Sequence, residues 1–296
     1  FEQSLAAEQF LAEHTEGAIR LRERAAEWTF DRAAAVAELD PELLENFAEM
    51  YADISPAVVR CGWGLERNRN GVNAALAILA LPAIAGKFGV RGGGYSMSNA
   101  GAWMLSPDDW IGTPEPDTRI VNMNKLGRAL LEYRDPPIQM LFVYNCNPVA
   151  TMPNQNLVLK GMNREDLFTV VFDQVMTDTA DLADVVLPAT TFLESYDVAR
   201  SYGSTNLQLA RPVIEAVENA RPNVEVFAEL ATRLGLDIGT DYASDAEALL
   251  RLTANLPDEA QRALMEGGLA EGVAGGRPIQ FRDVFPRTTG RKVYLF

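Results

Sequence analysis

The chain has 296 residues, 48% of them apolar and 23% charged, and a net charge of −15. This is ordinary globular composition with room for one large or two medium cores, and so negative a field repels phosphate backbones and anionic lipid heads, which excludes nucleic acid and the membrane surface as natural partners. Two cysteines, Cys61 and Cys146, and one histidine, His14, are too few for a disulfide framework, a tetrathiolate cluster or a His-rich metal centre within these residues; a single Cys61–Cys146 bridge and two free thiols both stay open.

Residues 1–55 read as helical. Phe1 to Phe10 has the spacing of an amphipathic helix rather than of a leader peptide, and both ends of the sequence read as cut sites in a longer protein. A helix start is marked at Asp40-Pro41-Glu42, with a capping acid, a proline suited to the first turn and an acid that complements the dipole. Leu43, Leu44, Phe47, Met50 and Tyr51 are expected to form its buried face.

From residue 57 strands and helices alternate. Ala57–Cys61, Ile138–Tyr144, Leu167–Asp173 and Ala183–Leu187 are nearly continuous in apolar residues, as strands covered on both faces are. The run Ala74–Gly86 is too short to span a bilayer and contains Pro82, so 71–88 reads as a buried core helix and no direct membrane insertion is expected. Further helices are expected at 121–133, 154–161 and 177–182, and at Pro222–Leu234 with Gly235 as its C-terminal cap. The stretch 272–296 is rich in Gly, Pro and Arg and reads as an irregular connection to a missing domain. The pattern predicts an α/β fold: a doubly wound, mainly parallel, Rossmann-like sheet with helical N- and C-terminal additions. It divides the chain into three segments: 1–55, helical and packed on the core; 56–220, the parallel cofactor-binding core; and 221–296, a helical segment and the connection.

In open parallel sheets ligands bind beyond the carboxyl ends of the strands, which makes the residues after each strand the candidates. Gly62 to Gly71 comes after the first, where Arg67 or Arg69 could pair with a phosphate; on spacing alone a solvated turn with Asn70 as a helix cap is the better reading. After the second come Asn145, Cys146, Asn147, Pro148 and Thr151, neutral donors and acceptors able to hold a pyrophosphate or ribose, or a plain Asx turn. Asp173 ends the third strand, where an acid can read a ribose hydroxyl or the N–H edge of guanine; Thr177 caps the next helical turn whether or not it touches a ligand. Gly92-Gly93-Gly94 with Ser98 and Asn99 is either a flexible linker or a packed site. No Walker loop is present and no G-x-G-x-x-G opens a helix after a strand, so ATP or NAD binding by a generic nucleotide fold finds little support.

Taken together, Gly62–Arg67 to Gly71, Gly86–Gly94 (GKFGVRGGG), Tyr144–Pro148 (YNCNP) and Val170–Asp197, with its LPATTFLE run, resemble the dimethyl-sulfoxide-reductase family of molybdopterin oxidoreductases. The resemblance implies an internal fragment of an enzyme carrying molybdenum or tungsten on molybdopterin guanine dinucleotide. The metal ligand, and an iron–sulfur cluster if the parent has one, would lie upstream, and a C-terminal domain is missing. By position it implies cofactor contacts from Arg67, Gly93, Gly94, Ser98, Asn99, Asn145, Asn147, Pro148, Thr151, Asp173 and Thr177. Where family members commonly carry Gln before the Arg, this chain has Glu66. Cys146 reads as packing beside the loop, and no metal ligand is expected in the chain. The fragment alone is expected to be inactive and to hold no cofactor; its partners would be the missing domains of the same polypeptide and electron-transfer subunits. Formate, S-oxides, N-oxides, nitrate and polysulfide all stay open as substrates, and bacterial cytoplasm or periplasm as location. The alternative is a cofactor-free scaffold or electron-transfer subunit of a respiratory complex with the same fold.

Overall fold

A computed structural model of the chain describes residues 1, 3–103, 105, 118–200, 203–236 and 245–296. They form two compact units: Phe1–Trp103 with Arg200–Leu207 and Leu269–Phe296, and Met104–Ala199 with Gln208–Gly268. Each unit is thus assembled from separate stretches of sequence, and the strands that read as one core are shared between them.

In the first unit, helix α1 runs Glu8–His14. The helix expected from Phe1 begins seven residues late because Ser4 sits at φ +58, a left-handed conformation that a helix cannot continue through, and the Ala7 N–H is given to Ile84 O at 2.7 Å. Strand β1 (Thr15–Glu16), α2 (Ala18–Ala25), α3 (Phe30–Ala37) and α4 (Pro41–Asp53) come next. Helix α4 starts as the sequence dictates, with Asp40 accepting the Glu42 N–H at 2.9 Å. Its expected buried face does not hold. Leu44, Ala48 and Tyr51 are half-buried, but Leu43, Phe47 and Met50 are 56%, 47% and 51% exposed. The exposed side carries two parallel rows, polar (Glu42, Asn46, Glu49, Asp53) and apolar (Leu43, Phe47, Met50, Ile54). Periodicity identified the apolar row correctly but could not say whether anything in this chain covers it.

Strand β2 (Val58–Arg60) leads through α5 (Gly71–Ile84) to β3 (Gly94–Ser96), and β2 and β3 pair in parallel with Val59 opposite Tyr95. Helix α5 is apolar except for the exposed Asn73; Ala80, Pro82 and Ala83 are buried, whereas Val72 and Leu76 are exposed, so only one side of the expected core helix is core. Leu11, Ala80, Ala83, Phe88, Val293 and Leu295 make this unit's core, with Phe10 stacked on Phe88 at 5.6 Å. The expected irregular connection therefore belongs to the core as well: residues Val293–Tyr294 form a strand parallel to β1. Local sequence hides this because the four apolar residues 293–296 are too short a run to show a period, and the Gly, Pro and Arg before them read as a loop.

The second unit contains α6 (Leu126–Glu132), β4 (Met140–Tyr144), the short α7 (Pro148–Thr151), α8 (Gln155–Met162), β5 (Phe168–Asp173), β6 (Val185–Pro188), α9 (Asn223–Arg233), α10 (Asp245–Leu252) and α11 (Asp258–Gly267). The helix expected at 177–182 is only a 3₁₀ turn, Ala180–Leu182. Strands β4, β5 and β6 form a parallel sheet in that order, with Tyr144 opposite Phe172 and Asp173 opposite Pro188. Alternate residues face opposite sides. Phe142, Tyr144 and Phe172 pack on Phe227 of α9, with ring centroids 5.8, 5.0 and 6.0 Å away. Leu141 packs with Leu130, Val149 and Val158 from α6, α7 and α8. Helix α9 ends at Gly235, φ +68, as expected, its N–H going to Thr232 O at 3.1 Å. The chain is a mixed α/β protein with parallel sheets, and among the described residues no helix is long and apolar enough to cross a membrane.

Candidate functional site

Because β4, β5 and β6 run parallel and in register, the chain leaves all three at one edge of the second unit. Asn145 to Thr151 comes after β4, Asp173 to Thr177 closes β5, and Ala189 to Ser195 comes after β6. Asn145 is exposed at φ +51, a left-handed position that asparagine tolerates better than most residues. The half-buried Asp173 accepts the Gln174 N–H on Oδ1 at 2.7 Å, leaving its second oxygen for another donor.

The neighbouring polar residues brace this edge. Thr179, fully buried, donates its hydroxyl to Asn147 Oδ1 at 2.6 Å and accepts the Val149 N–H at 3.1 Å. Asn147 Nδ2 reaches Asp178 Oδ2 at 3.5 Å, and Thr151 Oγ1 donates to the Asn147 carbonyl at 2.8 Å. Pro148 is buried at the start of α7. Thr177 accepts the Ala180 N–H at 3.1 Å, the capping role expected of it. Asn147 keeps one amide hydrogen and one lone pair of Oδ1 for a ligand, and Thr151 a hydroxyl lone pair.

The loop after β6 contributes its LPATTFLE run to the resemblance, but no site residue was expected in it. Glu194 accepts the Thr191 N–H and hydroxyl, each at 2.7 Å, and the Val217 N–H at 2.8 Å; these bonds hold its carboxyl below the usual carboxylate range. Gln174 Nε2 donates to Thr190 O at 3.0 Å, tying this loop to the one after β5. The Thr191-x-x-Glu194 spacing, which is that of a capping box, was the available signal.

The first unit holds the other candidates. A Cβ on Gly93 would lie 2.3 Å from the Lys87 carbonyl oxygen, and one on Gly94, at φ +105, 2.3 Å from Gln280 Oε1. Gly93 and Gly94 are therefore tightly packed backbone and not a linker, whereas Gly92 is exposed at φ +83. Gly93, Ser98 and Asn99 line a cleft of about 910 Å³ with Arg91, Arg277 and Arg287, while Gly94 is buried beside it at the start of β3. Arg67 sits exposed in a 3₁₀ turn after β2 and does not line the cleft. Lys87, 3% exposed, donates to Ala52 O at 2.6 Å and Ile54 O at 2.9 Å, closing the end of α4. Burial, with the Cys61 thiol beside it, pushes the Tyr95 hydroxyl up to about 12. Cys61 and Cys146 are both free thiols.

Polar loops at the carboxyl edge of a parallel sheet, and a glycine-walled cleft bearing guanidinium groups, are the two candidate regions of this mixed α/β protein. The model of the molybdopterin oxidoreductase family matches residues 9–233, and the chain belongs to that family. It is 39% identical over 263 residues to the probable oxidoreductase YoaE of Bacillus subtilis, covering 87% of this chain and 38% of that protein. It is 25% identical over 293 residues to the dimethyl sulfoxide/trimethylamine N-oxide reductase of Rhodobacter capsulatus, covering 88% of this chain and 33% of that one. The solved acetylene hydratase from Pelobacter acetylenicus shares the fold with a TM-score of 0.71 at 22% identity, over 99% of this chain and 46% of that chain. The chain thus spans less than half the length of each of these relatives.

Proposed function

We propose that this chain is a fragment of a molybdopterin-dependent oxidoreductase, and that it contributes binding surface for molybdopterin guanine dinucleotide in a parent enzyme carrying out two-electron redox chemistry at molybdenum or tungsten. The observation that carries this reading is the shared carboxyl edge, where the exits of β4, β5 and β6 gather Asn145, Asn147 and Asp173. Helices on both faces of that sheet support reading the second unit as doubly wound and Rossmann-like, a design that receives nucleotides at this edge.

The donor set fits the group. A guanine base presents neighbouring N–H donors, and a ribose presents hydroxyls; the open oxygen of Asp173 and the Asn145 amide are complementary to both. The strand exits 145–151, 173–177 and 189–195 contain no Arg or Lys, so the edge suits the nucleoside end of the cofactor. In the first unit, Arg91, Arg277 and Arg287 are matched to phosphate charge, and Ser98, Asn99 and the Gly93 backbone to the hydrogen-bonding edges of a pterin. When bound, the metal–pterin group supplies electron exchange between the IV and VI states of the metal. The chain's own residues orient it: Asp173 and Asn145 fix the nucleoside, Thr179 and Pro148 hold the Asn147 loop rigid, Thr177 caps the turn after β5, and Gly93 lets backbone approach closely. The metal ligand and any iron–sulfur cluster belong to parts of the parent outside this chain, and the electron-transfer partners are other subunits.

The test is made in the parent protein. Guanine nucleotide released by acid denaturation, and metal content, should fall about tenfold or more in D173A, consistent with loss of one charge-assisted hydrogen bond worth about 1.5–3 kcal/mol. Unchanged nucleotide and metal in both D173A and N145A would overturn the assignment. A parent with little molybdenum or tungsten, from a host that makes the cofactor, would point to the scaffold instead.

A further inference from the structure

Among the described residues, strand β3 has a partner strand on one edge only. On the β2 side, Gly94 N–H donates to Ala57 O at 3.0 Å and Ser96 O accepts the Cys61 N–H at 2.8 Å. Tyr95, between them, turns its own N–H and C=O to the opposite edge, as the alternation of a parallel strand requires. Both groups are taken by one side chain 185 residues later: Gln280 Oε1 accepts the Tyr95 N–H at 3.0 Å, and Gln280 Nε2 donates to Tyr95 O at 2.7 Å. The Gln280 backbone is fixed in turn, its carbonyl accepting the Gly89 N–H at 2.9 Å, while Phe281 N–H closes on Val284 O at 2.7 Å. Gly94 lies under the carboxamide, where any Cβ would meet Oε1 at 2.3 Å.

We infer that Gln280 is a positioning residue: its carboxamide stands in for a missing strand at the free edge of β3 and fixes the course of the chain from Gly93 to Ser98 and Asn99. What those residues bind rests on the proposed function. The chemistry is specific. A carboxamide carries a donor and an acceptor in one plane, matching the donor and acceptor of a strand residue. Glu lacks the donor and would set a carboxylate against Tyr95 O. Met keeps the length without the bonds, and Asn keeps the amide one methylene short.

The experiment uses the parent protein with Q280M and, should that variant not accumulate, Q280N. Hydrogen–deuterium exchange over 93–99 should rise about tenfold or more while exchange in β4–β6 stays at the wild-type level. Cofactor retained through gel filtration should fall several-fold, and Q280E should be at least as impaired. Unchanged exchange over 93–99 would overturn the clamp. Raised exchange with full cofactor retention would overturn its positioning role. S98A and N99A in an otherwise wild-type protein test the underlying reading separately: if neither lowers retention while Q280M does, the assignment of the loop's contacts fails and the clamp stands.

Discussion

The two candidate regions solve the same problem, holding polar groups still at the end of a strand, in opposite ways. The carboxyl edge of the second unit is braced locally: Thr179, Asn147 and Val149 lie within about thirty residues of one another and close their own ring of bonds. The glycine loop of the first unit is braced from afar, by Gln280 across 185 residues and by Lys87, which fastens the preceding segment to the end of α4. A locally braced site keeps its shape as long as its own motif survives. A remotely braced one depends on the terminal segment of the chain staying packed.

The sharpest way to break the comparison is Thr179→Val, a near-isosteric change. It deletes both hydroxyl bonds and strands a buried N–H and an amide oxygen, so chemical unfolding should show a loss of about 2–4 kcal/mol; a loss under about 0.5 kcal/mol would mean the edge is not held this way. Next is Lys87→Met, which removes two charge-assisted bonds from a buried ammonium and should cost about 1.5–3 kcal/mol, read by the same denaturant titration. Its effect should be confined to the first unit in hydrogen exchange.

Glu194 offers a smaller, pH-dependent test. Its folded-state carboxyl lies below the ordinary value, so its contribution is present above the unfolded value and is lost as pH falls through the folded one. Exchange of the Val217 and Thr191 amides, corrected for intrinsic rate, should therefore accelerate on acidification below about pH 4.3. E194Q should flatten that response, and an unaltered profile would remove Glu194 from the clasp. The smallest effect belongs to Arg67→Ala: an exposed turn residue whose loss should leave stability within about 0.5 kcal/mol, checked by thermal melting.

These contrasts also explain what the sequence could reveal. Strands β2, β4, β5 and β6 were readable because their apolar runs are nearly continuous, and the start of α4 and the end of α9 because Asp40-Pro41 and Gly235 act through local backbone chemistry. Strand β3 escaped because three residues opening on glycine have no period to read. The fate of α4's apolar row depends on what lies against it, which is a tertiary fact. At the candidate site, strand ends gave Asn145, Asn147 and Asp173 directly, and Thr191-x-x-Glu194 was a legible signal left unused. Gln280 had no local signature, since its partner is specified only by the fold.

The central claim is that the carboxyl edge of β4–β6 receives the nucleoside end of a pterin dinucleotide. A structure of the cofactor-loaded parent tests it most directly. The account predicts guanine or ribose density within hydrogen-bond distance of Asp173 and Asn145; a loaded enzyme whose nucleotide lies elsewhere, with only solvent at those two side chains, would contradict it.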